Sequence, residues 1–149
     1  MNNLQMTMLI ISIIIFLSLI IAIIIRLKRS FLIIDRMSGK TFENFIAKLY
    51  KKLGYISINT KTSGDQGIDV IVKKTFLKLG IQTKRYDRPV GNKAVQEAVA
   101  GKKYYKLDKV AVITNNYFTR SAKELAKVNG VELIDRDKLK VIIKKAYKK

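Results

Sequence analysis

The chain has 149 residues, 30 of them Lys or Arg and 11 Asp or Glu, with a formal net charge of +19 and neither Cys nor His. That composition excludes disulfide scaffolds, Cys/His zinc sites, thiol nucleophiles and any mechanism that needs an imidazole, so catalysis would have to rest on carboxylates, Lys, amides and a hard metal. The positive excess points to a polyanionic partner, because Lys and Arg that touch phosphates release condensed counterions; nucleic acid is the first reading, and a solvated surface or anionic lipid is the other.

The first 25 residues carry no charged side chain. Met8 to Ile25 reads MLIISIIIFLSLIIAIII, with Ser12 and Ser18 its only polar members, and 18 residues at 1.5 Å rise nearly cross a ~30 Å hydrocarbon core. A cleaved signal peptide is the rival, but the run lacks a basic leading region and a small-residue cleavage site. Arg26, Lys28 and Arg29 follow it as a stop-transfer flank, which by the positive-inside rule puts the rest of the chain in the cytoplasm. The expected organisation is a single-pass membrane anchor over 1–25, contacting the lipid bilayer through 8–25, then a juxtamembrane linker over 26–40 and one domain over 41–149. Fully extended, the linker would reach only about 50 Å.

Within the domain, TFENFIAKLYKKL (41–53) places Phe42, Phe45, Ile46, Leu49 and Leu53 on one helical face, with Gly54 as its stop. YISINT (55–60) alternates as a strand, SGDQG (63–67) carries turn residues, and IDVIVKK (68–74) and KLGIQTKRY (78–86) read as hairpin partners. After Pro89 and Gly91, residues 92–105 fit a helix whose end Gly101 weakens, and KVAVIT (109–114) is a short buried strand. A helix over 118–128, a strand over 131–134 and a basic helix over 136–147 complete the chain. The order α-β-β-β-α-β-α-β-α predicts an α/β fold, a mixed central sheet flanked by helices, preceded by one transmembrane helix.

Asp69 is the most informative anomaly, a carboxylate between Ile68 and Val70 in a β-rich run. Gln82 and Lys84 are two apart on the partner strand and share a face. A turn centred between Thr75 and Phe76 makes opposed residue numbers sum to 151, setting Asp69 opposite Gln82 and Lys84 near Gly67; a one-residue slip would undo this. A carboxylate and an amide oxygen can hold Mg²⁺, which activates water and polarises a phosphoryl oxygen, while Lys orients or deprotonates that water. The plainer alternative is an Asp–Lys pair satisfying itself in a half-buried sheet.

Several ordered motifs then carry a family likeness: Gly39 with Phe42-Glu43, Leu53-Gly54-Tyr55, Ser63 to Val70, Gln82-Thr83-Lys84-Arg85-Tyr86, Val95-Gln96-Glu97, Ile113-Thr114-Asn115 and Leu133-Ile134-Asp135-Arg136. Together, over residues 37 to about 139, they resemble the Mrr-type restriction endonucleases of the restriction-endonuclease-like superfamily of metal-dependent nucleases. The resemblance implies a Mg²⁺- or Mn²⁺-dependent DNA endonuclease, with a role in restriction of foreign or modified DNA. It makes Asp69 the metal-binding aspartate, with Gln82 and Lys84 the paired positions of the next strand. Glu43 matches the acidic residue of the first helix, an accessory metal or water-positioning ligand, although a Glu in a first helical turn is also favoured by the macrodipole. Asp65 and Gln96 have turn-forming and exposed-helix explanations of equal weight, and Gly64 and Gly67 either let the backbone approach substrate or only supply turn geometry.

For DNA contact the expected residues are Lys61, Arg85, Arg88, Lys93, Lys102, Asn115, Asn116 and Arg120, at strand ends and loops around that face. Tyr86, Tyr104, Tyr105 and Tyr117 are candidates for base stacking, with core packing the competing role. Cutting both strands with one active site implies a homodimer. Two further readings compete: a catalytically idle DNA-binding module tethering DNA to the membrane, and a nuclease secreted after cleavage of the apolar run.

Overall fold

The structure is a computed structural model that describes residues 3–60 and 66–148. The chain divides into two compact units, Met1–Arg36 and Met37–Lys149.

The first unit is one helix, α1 (Asn3–Asp35), within which Leu4–Ile23 has mean hydropathy 3.0 and none of its window buried. Twenty residues at 1.5 Å rise make about 30 Å, so this helix is long and apolar enough to cross a bilayer. The two serines of that stretch are satisfied within the helix. Ser12 Oγ donates to the Leu9 carbonyl at 2.8 Å and Ser18 Oγ to that of Ile15 at 2.7 Å, so neither serine needs a partner from outside the helix in hydrocarbon. The helix runs on through most of the stretch expected as a linker, and only Arg36, Met37 and Ser38 separate it from the next helix.

The second unit begins with α2 (Gly39–Lys52), capped by Ser38, whose Oγ accepts from the Thr41 amide at 3.1 Å. Its apolar face buries Phe42, Ile46, Ala47, Leu49 and Tyr50, and each large apolar side chain there contributes about 1.5–3 kcal/mol. Gly54, at φ 83°, takes the left-handed conformation that ends the helix region. Then come β1 (Ile56–Asn59), β2 (Val70–Lys74), β3 (Leu77–Lys84), α3 (Asn92–Tyr104), β4 (Lys109–Thr114), α4 (Arg120–Asn129), β5 (Val131–Ile134) and α5 (Arg136–Tyr147).

The five strands form one sheet in chain order, antiparallel from β1 to β3 and parallel from β3 to β5. Parallel neighbours require crossovers, which α3 and α4 supply. Val95, Ala98, Ala122 and Ala126 of those helices pack with Val110, Val112 and Val131 of the sheet. The alternate strand residues Val70, Val72, Ile81, Ala111 and Ile113 are buried too, because α2 packs on β1 to β3 and α5 on β4 and β5. The mixed, helix-flanked sheet expected from the pattern is what forms.

The β2–β3 ladder runs from Val70↔Ile81 to Lys74↔Leu77, every pair summing to 151. The two-residue turn Thr75-Phe76 enforces this register although it has no Gly or Asn; Thr75 itself takes φ 53°. Two boundaries differ from expectation. Asp69 stands just before β2 rather than within it, and the helix expected over 118–128 starts at Arg120, capped by Thr119 Oγ1. Phe118 instead bridges to Val90, tying the loop after β4 to the one before α3.

Candidate active site

At the end of the sheet where β3 and β4 run out, a cleft of about 320 Å³ is lined by Gly39, Glu43, Gly67, Asp69, Gln82, Thr83, Lys84, Arg85, Tyr86 and Glu97. The structure therefore brings together all four residues expected to carry chemistry, Asp69, Gln82, Lys84 and Glu43.

Asp69 sits at the mouth of the hairpin, its amide donating to the Ile81 carbonyl at 2.9 Å. Three donors converge on one carboxylate oxygen: the Thr83 amide reaches Asp69 Oδ2 at 2.6 Å, Thr83 Oγ1 at 2.8 Å and Gln82 Nε2 at 3.0 Å. Hydrogen bonds to a charged group are worth about 1.5–3 kcal/mol each, which offsets much of the cost of holding a carboxylate at 7% exposure.

Because Gln82 spends its amide protons on Asp69 and, at 3.4 Å, on the Thr83 carbonyl, its Oε1 is left buried with no donor. An unmade bond of that kind costs about 1–3 kcal/mol. A neutral amide oxygen and a carboxylate side by side make a hard, oxygen-only donor set, which fits Mg²⁺ or Mn²⁺ and fits soft metals poorly. No cluster of three acidic or His/Cys ligands occurs among the described residues, so such a cation would keep several waters.

Glu43 lies in the second turn of α2 rather than the first, so the macrodipole does not account for it; it pairs with Lys40 at 2.8 Å. Lys84 Nζ lies 2.7 Å from Glu97 Oε2, with the two side chains 18% and 27% exposed. The contact falls outside hydrogen-bond angles, since Glu97 Oε2 has no hydrogen-bond partner. Attraction between unit charges needs distance and not angle, so the pair is held by charge.

Glu97, like Thr83, is a site residue that the sequence did not reveal. Its neighbour Gln96 is exposed, and one step along a helix turns a side chain by about 100°. Two glycines seat α3 against the loop before Asp69. A Cβ on Gly67, at φ 79°, would stand 2.3 Å from the Glu97 carbonyl oxygen, and one on Gly101 2.7 Å from the Gln66 carbonyl oxygen. Gly67 thus serves close approach to a helix, and Gly101 is a packing position rather than a weak helix end.

The residues expected to touch DNA divide. Arg88 and Lys93 are exposed and Lys102 is half-buried; Arg85 lines the cleft and pairs with Asp87, and Arg120 pairs with Glu124 at 2.9 Å. Lys61, with Ser63, Gly64 and Asp65, lies outside the described residues. Asn115 is 2% exposed, too deep to touch DNA. Its Oδ1 accepts from the Tyr86 amide at 2.9 Å and its carbonyl from Arg136 Nη1 at 2.8 Å. Asn116 Nδ2 donates to the Tyr86 carbonyl at 3.2 Å and its Oδ1 accepts from the Tyr117 amide at 2.8 Å. Both asparagines brace the loops after β3 and β4. Those loops present Tyr86 and Tyr117, 42% and 43% exposed, and Tyr104 is 65% exposed, so core packing does not account for these three.

Three solved structures share the fold. One titled as the DNA modification-dependent restriction endonuclease AspBHI has a TM-score of 0.62 at 17% identity, covering 81% of this chain and 36% of its own. The MspJI restriction endonuclease, solved in complex with a 27-mer oligonucleotide, has a TM-score of 0.54 at 18% identity, covering 78% and 30%. The protein of unknown function AF1548 has a TM-score of 0.54 at 22% identity, covering 62% and 55%. The chain thus spans about a third to a half of those proteins. No curated protein matches the sequence. Residues 34–143, which hold every described residue of the cleft, match the family Mrr_cat, Restriction endonuclease, and the chain belongs to that family.

Proposed function

We propose that this protein is a membrane-anchored DNA endonuclease that hydrolyses phosphodiester bonds with Mg²⁺ or Mn²⁺, acting in restriction of foreign DNA. The observation that carries the reading is the buried, donorless Gln82 Oε1 beside the Asp69 carboxylate, in a cleft that also holds Lys84.

Asp69 and Gln82 Oε1 would hold the cation, with Glu43, which lines the same cleft, as an accessory or water-positioning ligand. Bound there, a divalent cation supplies Lewis acidity toward a phosphoryl oxygen and lowers the pKa of a bound water. The protein does the rest. Thr83 orients Asp69 through two hydrogen bonds. Lys84 places positive charge where the pentavalent phosphate accumulates negative charge, and Arg85, Arg88 and Lys93 draw the DNA backbone to the cleft mouth.

Anchoring rests on Leu4–Ile23 of α1, and the cations Arg26, Lys28 and Arg29 after it favour a cytoplasmic nuclease domain. The test is plasmid cleavage by the full chain in detergent, with and without Mg²⁺, beside Asp69→Ala and Lys84→Ala. Wild type cuts only with the cation, and each variant falls at least about a hundredfold. Wild type that retards plasmid on a gel yet leaves it intact would show an idle DNA-binding module instead. Protease protection in spheroplasts checks the topology: the domain resists digestion until the membrane is opened.

A further inference from the structure

The Lys84–Glu97 pair sets a sheet residue against a helix residue within a cleft that also holds the carboxylates of Asp69 and Glu43. Asp69 and Lys84 belong to the same hairpin: Asp69 stands just before β2 with Gln82 Nε2 3.0 Å from its Oδ2, and Lys84 follows two residues after Gln82 on β3. Residues two apart on a strand project to the same face roughly 7 Å apart, a gap that a lysine side chain can cross. A lysine ammonium and a divalent cation seek the same carboxylate oxygens. Where both share a cleft, the lysine competes with the metal unless another carboxylate holds it.

Glu97 is placed to do this. Its Oε2 is 2.7 Å from Lys84 Nζ, it projects from α3 and not from the sheet, and its backbone is fixed against Gly67, two residues before Asp69. The spacing between the lysine's anchor and the carboxylate is therefore set by backbone contact, not by a flexible loop. We propose that Glu97 is a positioning residue: it holds the Lys84 ammonium toward α3 and so leaves the Asp69 carboxylate and Gln82 Oε1 to a divalent cation. The inference rests on the metal-dependent reading of the cleft, and it concerns binding of the cation rather than the cutting of DNA.

The two possible effects of Glu97 separate in a double-mutant cycle. If Glu97 attracts the cation only through its own charge, removing that charge weakens binding by the same factor whether or not Lys84 is present. If it acts by restraining Lys84, the loss disappears once Lys84 is gone. The measurement is Mn²⁺ binding, with the metal alone as probe, to the full chain in detergent, followed by the electron paramagnetic resonance signal of free Mn²⁺. Glu97→Gln is expected to weaken Mn²⁺ binding about tenfold, in the range found for residues that orient metal ligands. Lys84→Met and the double variant Glu97→Gln/Lys84→Met are expected to bind it equally.

An unchanged affinity in Glu97→Gln, or an equal loss in both Lys84 backgrounds, overturns the proposal, as does a wild type that binds no Mn²⁺. Should Glu97→Gln melt well below wild type, Glu97→Asp, which keeps the charge with a shorter reach, supplies the same cycle. Plasmid cleavage on the same preparations keeps the two readings apart. A wild type that binds Mn²⁺ with this coupling but leaves plasmid intact refutes the nuclease function and leaves the role of Glu97 standing.

Discussion

The two ends of the sheet are built on opposite rules. Of the six buried polar residues among the described ones, Asp69, Gln82, Thr83, Thr114 and Asn115 cluster where β3 and β4 end, and Ser57 lies elsewhere. At the other end the hairpin tip holds Phe76 at 96% exposure, and behind it a second cleft is lined by Tyr50, Leu53, Tyr55, Leu77 and Leu79 with Lys74, Lys109 and Lys145. One end hides polar groups at a cost in desolvation, while the other leaves a large apolar ring in water. Stability alone would favour neither arrangement. The polar end has the form expected where a charged ligand is to be received.

Substitutions can break this contrast, starting with the most severe. Asp69→Ala strands the Thr83 amide, Thr83 Oγ1 and Gln82 Nε2, so it should abolish cleavage and also lower unfolding free energy by about 3 kcal/mol in urea titration. Asp69→Asn keeps an acceptor in place and should lose cleavage with a much smaller stability loss, which separates the two roles. Gly67→Ala meets both a left-handed backbone and the Glu97 carbonyl, and should cost about 3 kcal/mol and reduce cleavage because α3 must retreat from the site. If Gly67→Ala melts like wild type, the seating of α3 described above is wrong.

The apolar end gives gentler tests. Burial, with the charge of Glu132 and then Tyr55 adding to it, pushes the Tyr50 phenol well above its ordinary value near 10. The unfolded chain then loses that proton first as pH rises, so stability is intact below pH 10 and falls above it, by at most about 1.4 kcal/mol per pH unit. Tyr50→Phe should remove that slope from the difference between matched denaturation curves. Phe76→Ser should be the mildest of all, moving stability by less than about 0.5 kcal/mol and leaving cleavage unchanged.

What the sequence revealed follows the same division. Gln82 and Lys84 were legible because residues two apart on one strand share a face, and Asp69 because a carboxylate stands out in an apolar run. Glu97 was not, since its place depends on a crossover helix and on glycine contacts that no periodicity records. Asn115 was misread for a related reason: the end of an apolar strand looks exposed in sequence, whereas here the loops after β3 and β4 fold over it. The extent of α1 beyond its apolar run was also hidden, because charged residues at a helix end read equally well as a linker.

The position of β3, antiparallel to one neighbour and parallel to the other, bears on the order in which the site can assemble. Asp69 and Gln82 meet by closing a stretch of 13 residues, whereas Lys84 reaches its β4 partner Thr114 across 30. Local pairings generally form faster than distant ones, and the crossover through α3 has the larger chain entropy to overcome. During folding, then, the meander β1 to β3 can gather the sheet's contribution to the cleft while Glu97 is still unplaced. The carboxylate and the amide would arrive first, and the seating of Glu97 against Gly67, which needs α3 in place, would follow.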